Sequence, residues 1–461
     1  MILLFVIALS IDSILNQPEL EHAHFGIMVL DLETDSIVYA RNSQKNLIPA
    51  SNVKIITSAA ALTFLGPDFR FKTRLAVKGA AKTSKWNNDI VIVGGGDPSF
   101  SLGSMEQFVA SIKRHGANDT HYNIILVDDL FTDERLPIGW SWQYLDARYA
   151  AEVSAISLNR NVVNVHIVAT QLGERAQVVM EPATAYVTLV NEIATRAGED
   201  SLIIFRRPEA NIIYVAGGIG YGHTRDIEVA IKDPTMFFGE YLKERLLASG
   251  FKVAGECMRS ESLSAYGMDT TYQMIDSIVS MPLSDLIKEF NIESINLYGE
   301  ALLKTLGAYY KKTGSFSAGV SIIKEFLRRC GVDTSLVLLY DGSGLSRYNL
   351  ISPYDIVLVL RYMFHSQLFE DFYSQLPGPG EGTLEFRFNG LKNFIRAKTG
   401  TLDAVSCLSG YLTLHDRHYC FSIMFNNFAC PRKQIEKLQE SIIKELKASL
   451  EKEALNSEAG S

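Results

Sequence analysis

The tripeptide Lys-Thr-Gly occurs twice, at Lys312–Gly314 in "YYKKTGSFS" and at Lys398–Gly400 in "IRAKTGTLDAVS". A lysine and a threonine hydroxyl side by side on an edge strand can hold a carboxylate. The strand's backbone can also pair with an extended peptide. A second pattern, Ser-x-x-Lys, occurs at Ser51/Lys54, Ser321/Lys324, Ser441/Lys444 and Ser449/Lys452. Ordinary residue frequencies yield roughly two such matches in a chain of this length. A third, Ser-x-Asn, occurs at Ser157–Asn159 and Ser294–Asn296. A serine beside a neutral amine is an activated nucleophile, so the elements that carry each copy decide which copies can do chemistry.

Ser51 follows Pro49 and opens "SNVKIITSAAALTFLGP", an apolar run that ends at Gly66-Pro67, a helix stop. A helix apolar almost all round is buried. Lys54 then lies one turn from Ser51 on the same face, where burial lowers its pKa and makes it a usable base. A serine at a helix N-terminus also has backbone N–H groups aimed at negative charge forming beside it. The other three Ser-x-x-Lys copies fall in amphipathic helical patterns, where lysine is a solvated residue. Ser294 and Asn296 fall between two helical patterns, so a loop there can offer a hydroxyl and an amide to one cavity; Asn159 leads into a strand and reads as a turn residue. Lys312–Gly314 ends a helical run, and Gly314 reads as its C-cap. Lys398–Gly400 reads as an edge strand leading into a hairpin. There, Gly400 is expected to let a substrate backbone come close.

These motifs, in this order, resemble those of the penicillin-recognising serine enzymes. "PASNVKIITSAAALTFLGPDFRFKT", "SINLYGEALLKTLG", "DGSGLSRYNLISP", "AKTGTLDAVSCLSGYL", "VGGGDPSF" and "WSWQYLDARYAAEVSAISLNRN" resemble the low-molecular-mass penicillin-binding protein 4 type, peptidase family S13. The resemblance covers nearly the whole chain. It implies that Ser51 is acylated, that Lys54 is its base and that Ser294 relays a proton to the leaving amine. Asn296 would hold Lys54 and the substrate amide, and Lys398 and Thr399 the terminal carboxylate. The N–H groups of Ser51 and Thr401 would form an oxyanion hole. Implied partners are peptidoglycan stem peptides, cut at D-Ala-D-Ala bonds, and β-lactams as covalent inhibitors, in the periplasm or otherwise outside the cytoplasm. No cofactor is implied. The chain departs from the family at Tyr144, where many relatives place an acid two positions after the second tryptophan of W-x-W. Asp146, two residues on, is a candidate substrate contact at the cleft rim near Tyr149. Arg347 is a candidate either for a substrate carboxylate or for a pair within its own loop.

The totals agree with a soluble enzyme. Of 461 residues, 47% are apolar and 21% charged, with a net charge of -8. The length predicts two or more domains. The acidic balance and the absence of a basic run argue against nucleic acid. Five cysteines without C-x-x-C and nine histidines without H-E-x-x-H suggest no metal site. The expected fold is multi-domain α/β. A β-lactamase/transpeptidase-like catalytic domain (1–70 and 268–461) is split by a β-rich insert (71–267), which the resemblance implies is two nested accessory domains. Residues 1–10 read as a signal-peptide remnant without a basic n-region, or else as an ordinary apolar strand or helix start. Competing functions are a β-lactamase and a catalytically silent peptidoglycan-binding protein. Nothing in the sequence bears on oligomeric state.

Overall fold

A computed structural model describes residues 2–78, 89–115, 123–260, 272–414 and 417–459. The chain opens with helix α1 (Ile2–Leu15) and a hairpin, β1 (His24–Asp31) and β2 (Ile37–Arg41). Asp31 shapes the hairpin turn by accepting the Glu33 and Thr34 N–H groups. Helix α2 (Val53–Leu65) follows and stops at Gly66, whose φ is 83°. Next come β3 (Lys72–Lys78), β4 (Ile90–Val93), α3 (Leu102–Arg114) and β5 (Ile124–Val127). Six strands follow: β6 (Val162–Val168), β7 (Gln177–Glu181), β8 (Thr188–Arg196), β9 (Ser201–Arg206), β10 (Ile212–Gly220) and β11 (Thr224–Ala230). Helix α4 (Pro234–Ala248), β12 (Cys257–Ser260) and β13 (Tyr272–Val279) lead to α5 (Leu283–Ile292), α6 (Asn296–Lys311) and α7 (Phe316–Arg329). Then come α8 (Pro353–Phe364), α9 (Phe369–Ser374), β14 (Ile395–Leu402), β15 (Val405–Leu414), β16 (Arg417–Asn426) and α10 (Arg432–Ala459).

The first hairpin joins the last. One antiparallel sheet runs β14-β15-β16-β1-β2, with His24 opposite Asn426 and Asp31 opposite Tyr419. Alternation sends β1 side chains to two cores. Met28 and Leu30 meet α2 and the α5–α8 layer, while Ile27 and Val29 meet α1 and α10. Both faces are covered, so β15 is buried along almost its whole length.

Between these halves a second sheet runs β12-β5-β4-β3-β13, with α3 and α4 packed on it. Two three-stranded sheets, β8-β10-β9 and β11-β6-β7, lie within the segment joining β5 to α4. The expected end of the insert, 267, lies outside the described residues. The pairing of β13 with β3 carries the insert's sheet on to Val279. Helix α3 was not expected in this β-rich stretch. Ser101 caps it by accepting the Ser104 N–H, and Met105, Phe108 and Ile112 are buried on one face. At the N-terminus the structure has the helix start that was one of the two readings. Residues 2–15 are helical, Ile7, Ile11 and Leu15 are buried in the core shared with α10, and Asp12 accepts a hydrogen bond from Tyr39 Oη. No helix among the described residues is long and apolar enough to cross a membrane.

Candidate active site

Ser51 sits in a single turn, Ala50–Asn52, that feeds directly into α2. Ala50 takes φ 47° there, a conformation disfavoured for a residue with a Cβ and maintained by the packing around it. Lys54, in the first turn of α2, is fully buried. Its Nζ donates to Ser51 Oγ at 2.9 Å, to Asn296 Oδ1 at 2.6 Å and to the Ser343 carbonyl at 2.7 Å. Burial is the main cause that brings its pKa from 10.5 down to about 7, against the opposing charges of Asp341 and Glu300. As the neutral amine, Lys54 keeps its two N–H groups on Asn296 Oδ1 and the Ser343 carbonyl and turns its lone pair to the Ser51 hydroxyl, so it can take the serine's proton at neutral pH.

Ser294 and Asn296 come from the junction of α5 and α6. Ser294 has φ 56°, which turns the chain sharply before α6 begins at Asn296. The Asn296 amide is held at both ends. Its Oδ1 accepts from Lys54, and its Nδ2 donates to the Tyr149 carbonyl at 2.8 Å, which decides which way the amide faces.

Strand β14 forms the opposite wall. Thr399 and Thr401 face the cavity, and Thr399 Oγ1 donates to Thr383 Oγ1 at 2.8 Å. Lys398 is fully buried and donates to the Thr399 carbonyl at 3.2 Å. Burial, and then the neighbouring Lys54 charge, hold its pKa well below the ordinary lysine value. Gly400 does not play the expected part. A Cβ there would lie 2.6 Å from the Pro49 carbonyl oxygen and 3.1 Å from the Ser51 nitrogen. The missing side chain therefore brings β14 against the Ser51 turn and leaves no room for a substrate backbone on that face.

The cavity in front of Ser51 holds about 350 Å³. Ser51, Ser294, Asn296, Thr399 and Thr401 all line it, and so do Tyr144, Tyr149, Asp403 and Arg432. Arg347 does not line it. Its Nη1 donates to the Asp403 carbonyl at 3.0 Å, tying its loop to the β14–β15 turn. Asp146 also lies outside, in an adjoining cavity of about 640 Å³ with Asp226 and Glu228, and Tyr149 borders both spaces.

The remaining motif copies have local roles. Ser321 Oγ donates to the Ala318 carbonyl, Lys324 to the Thr334 carbonyl and Ser449 to Glu445. Lys444 pairs with Glu440 on the exposed face of α10. Asn159 sits in a left-handed turn with Arg160 and Asn161. At the other Lys-Thr-Gly it is Lys312, at φ 58°, that caps α6. Gly314 instead packs where a Cβ would come within 2.1 Å of the Leu130 carbonyl oxygen.

Residues 7–448 match the model of the D-Ala-D-Ala carboxypeptidase 3 (S13) family. The chain belongs to this family. It is 31% identical over 442 residues to the D-alanyl-D-alanine carboxypeptidase of Actinomadura sp. (strain R39), covering 92% of this chain and 81% of that one. It is 23% identical over 414 residues to D-alanyl-D-alanine carboxypeptidase DacB of Haemophilus influenzae, covering 87% and 84%. The crystal structure of penicillin binding protein 4 from H. influenzae shares the fold, with a TM-score of 0.82 at 21% identity, over 95% of this chain and 99% of that one.

In this S13 chain several groups at the site escaped the sequence reading. The 341–346 loop supplies the Ser343 carbonyl to Lys54 and is built on Asp341. That carboxylate accepts from Trp140 Nε1, the Gly344 and Ser346 N–H groups and Asn349 Nδ2. Gly344, at φ 89°, lets the loop approach the Ser51 turn; a Cβ there would lie 1.8 Å from the Ala50 carbonyl oxygen. Helix α6 carries two buried ionisable residues, Glu300 and Lys304, and "GEALLKTLG" placed both in a run otherwise of core residues. Among the described residues no three His, Cys, Asp or Glu side chains gather into a group able to hold a metal ion.

Proposed function

We propose that this chain is a serine DD-peptidase that cleaves D-alanyl-D-alanine bonds of peptidoglycan stem peptides through an acyl-enzyme on Ser51. The observation that carries the reading is the Lys54 amine, buried and 2.9 Å from Ser51 Oγ at the wall of an open cavity. Lys54 takes the Oγ proton as Ser51 attacks the penultimate D-Ala carbonyl. The N–H groups of Ser51 and Thr401 receive the oxyanion. Ser294 passes a proton to the departing D-Ala amine, and Thr399 and Thr401 receive the terminal carboxylate with Lys398 behind them. Water then frees the acyl group. A β-lactam acylates the same serine but keeps its leaving group tethered, so the acyl-enzyme persists. Such a substrate places the protein outside the cytoplasm. The two sheets between β5 and α4, and the sheet that brackets them, support an insert of two accessory domains, one nested in the other.

A fluorescent penicillin separates the alternatives. Stable labelling that is lost in Ser51→Ala supports the DD-peptidase. Rapid turnover of the label points to a β-lactamase, and no labelling of a folded protein points to a silent peptidoglycan binder.

A further inference from the structure

Glu300 is a fully buried carboxyl that the mechanism above does not use. It lies one turn after Asn296 on α6, so the residue that holds Lys54 and the buried acid share a face. Its Oε2 accepts the Gly342 N–H at 3.0 Å, and the next residue, Ser343, gives its carbonyl to Lys54 Nζ. Beside it the two backbones touch. A Cβ on Gly299 would lie 2.8 Å from the Gly342 carbonyl oxygen, and one on Gly342 would lie 2.2 Å from the Gly299 carbonyl oxygen. Thr57, on the same helix as Lys54, donates to the Gly342 carbonyl at 2.7 Å. Glu300 is therefore fastened to the point where α2, α6 and the 341–344 loop meet, and two of Lys54's three acceptors depend on that junction. A buried carboxyl is costly, and an amide or hydroxyl could also accept one N–H bond. The choice of an ionisable group here needs a reason.

We propose that Glu300 is a positioning residue for acylation: it fixes the 341–344 loop against α6, so that the Ser343 carbonyl and the Asn296 amide together aim the Lys54 amine at Ser51, and its charge is coupled to that of Lys54. The inference rests on the serine-peptidase reading above. The charged groups that face Glu300 are Lys54 on α2, Asp341 on the loop and Lys304 on its own helix; Lys398 on β14 faces Lys54 from the other side. Burial, reinforced by Asp341, raises the Glu300 pKa to about 8, so around neutral pH the carboxyl is largely the uncharged acid. As it ionises, its negative charge favours the ammonium form of Lys54, the form that cannot accept the serine's proton.

Two variants test this in the full chain, with the acylation rate by a chromogenic β-lactam read from pH 5 to 9. Glu300→Gln keeps an acceptor for the Gly342 N–H but cannot ionise. Its rate is expected to follow wild type below about pH 7, where the wild-type carboxyl is uncharged as well, and then to reach its plateau at a pH lower by about half a unit, because no charge forms at residue 300 to favour the ammonium. Glu300→Ala loses the anchor and is expected to acylate at least tenfold more slowly on the plateau, at unchanged Ser51. A Glu300→Gln profile that coincides with wild type up to the plateau overturns the inference, since a purely structural residue leaves the onset of the plateau where it was. So does a folded Glu300→Ala whose plateau is within twofold of wild type. If Glu300→Ala does not fold, the Glu300→Gln profile alone decides. A wild-type chain that no β-lactam labels overturns the functional reading and this inference with it; a labelled wild type with an unshifted plateau onset in Glu300→Gln overturns the inference alone.

Discussion

On the proposed mechanism, the fraction of Lys54 present as free amine sets how fast Ser51 is acylated at a given pH. With its pKa brought down to about 7, chiefly by burial, that fraction is one half near pH 7 and falls tenfold per unit below it. Acylation by a small β-lactam is therefore expected to rise through about pH 7 and level off by pH 9. A lysine at the ordinary 10.5 would still be gaining tenfold per unit there. Lys54→Ala removes the base and is expected to slow acylation by about 10²-fold or more. Stopped-flow rates from pH 5 to 9 check both, and a flat profile together with an unimpaired Lys54→Ala would place the base elsewhere. Ser51 and Lys54 were legible because a lysine on a helix apolar all round is conspicuous. Tyr149's carbonyl and Glu300 were not. Their partners, Asn296 and Gly342, lie 147 and 42 residues away in sequence, and no local spacing records such pairs.

Two close backbone contacts hold the elements of the site together. Gly400 lets β14 lie on the Pro49–Ser51 turn, and Gly344 lets the 341–346 loop do the same from the other side. The sequence reading expected Gly400 to admit a substrate backbone, because a glycine reads alike whether a ligand or another part of the chain fills the space. Gly400→Ala is expected to cost about 1–3 kcal/mol through forced separation of strand and turn. It should also slow acylation, because the Thr401 N–H moves with the strand. Urea unfolding and penicillin labelling measure the two effects. A variant with wild-type stability and rate would show that the contact is slack. The second Lys-Thr-Gly provides the contrast. Lys312 is exposed, caps α6 and lies outside the cavity lining, so Lys312→Ala is expected to leave acylation within about twofold of wild type, as expected for a surface change. Lys398→Ala, buried beside Lys54, is expected to impair it severely. The reverse order of effects would move the working strand.

Across the whole molecule, several contacts join the insert to the elements around the catalytic centre. Tyr149 gives its carbonyl to Asn296, Trp140 donates to Asp341 at 2.9 Å, and Lys304 on α6 donates to the Thr132 carbonyl at 2.8 Å. The β-rich character of the insert was legible from short apolar runs, but its closing strand was not. The partner of β13 is β3, at the opposite end of the insert, and a hydropathy pattern does not encode pairing at that distance. On the proposed mechanism the insert supplies neither nucleophile nor base; it frames the space beyond Tyr149, where Asp146, Asp226 and Glu228 line a cavity next to that of Ser51. On the proposed reading, a full peptide stem bound at Ser51 would extend past Tyr149, whereas a minimal D-Ala-D-Ala substrate or a small β-lactam would end before it. An amino group on the long substrate would meet Asp146 at a half-exposed site, where one charge pair is worth up to about 1 kcal/mol, roughly a fivefold effect. Asp146→Ala is therefore expected to lower the ratio of kcat/KM for long over short substrates by roughly two- to fivefold and to leave β-lactam acylation nearly unchanged. Steady-state kinetics on both substrates give the ratio. If it does not change while the variant remains folded, Asp146 is not part of the substrate path, and Tyr144, Asp403 and Arg432, which line the catalytic cavity itself, become the groups to mutate next.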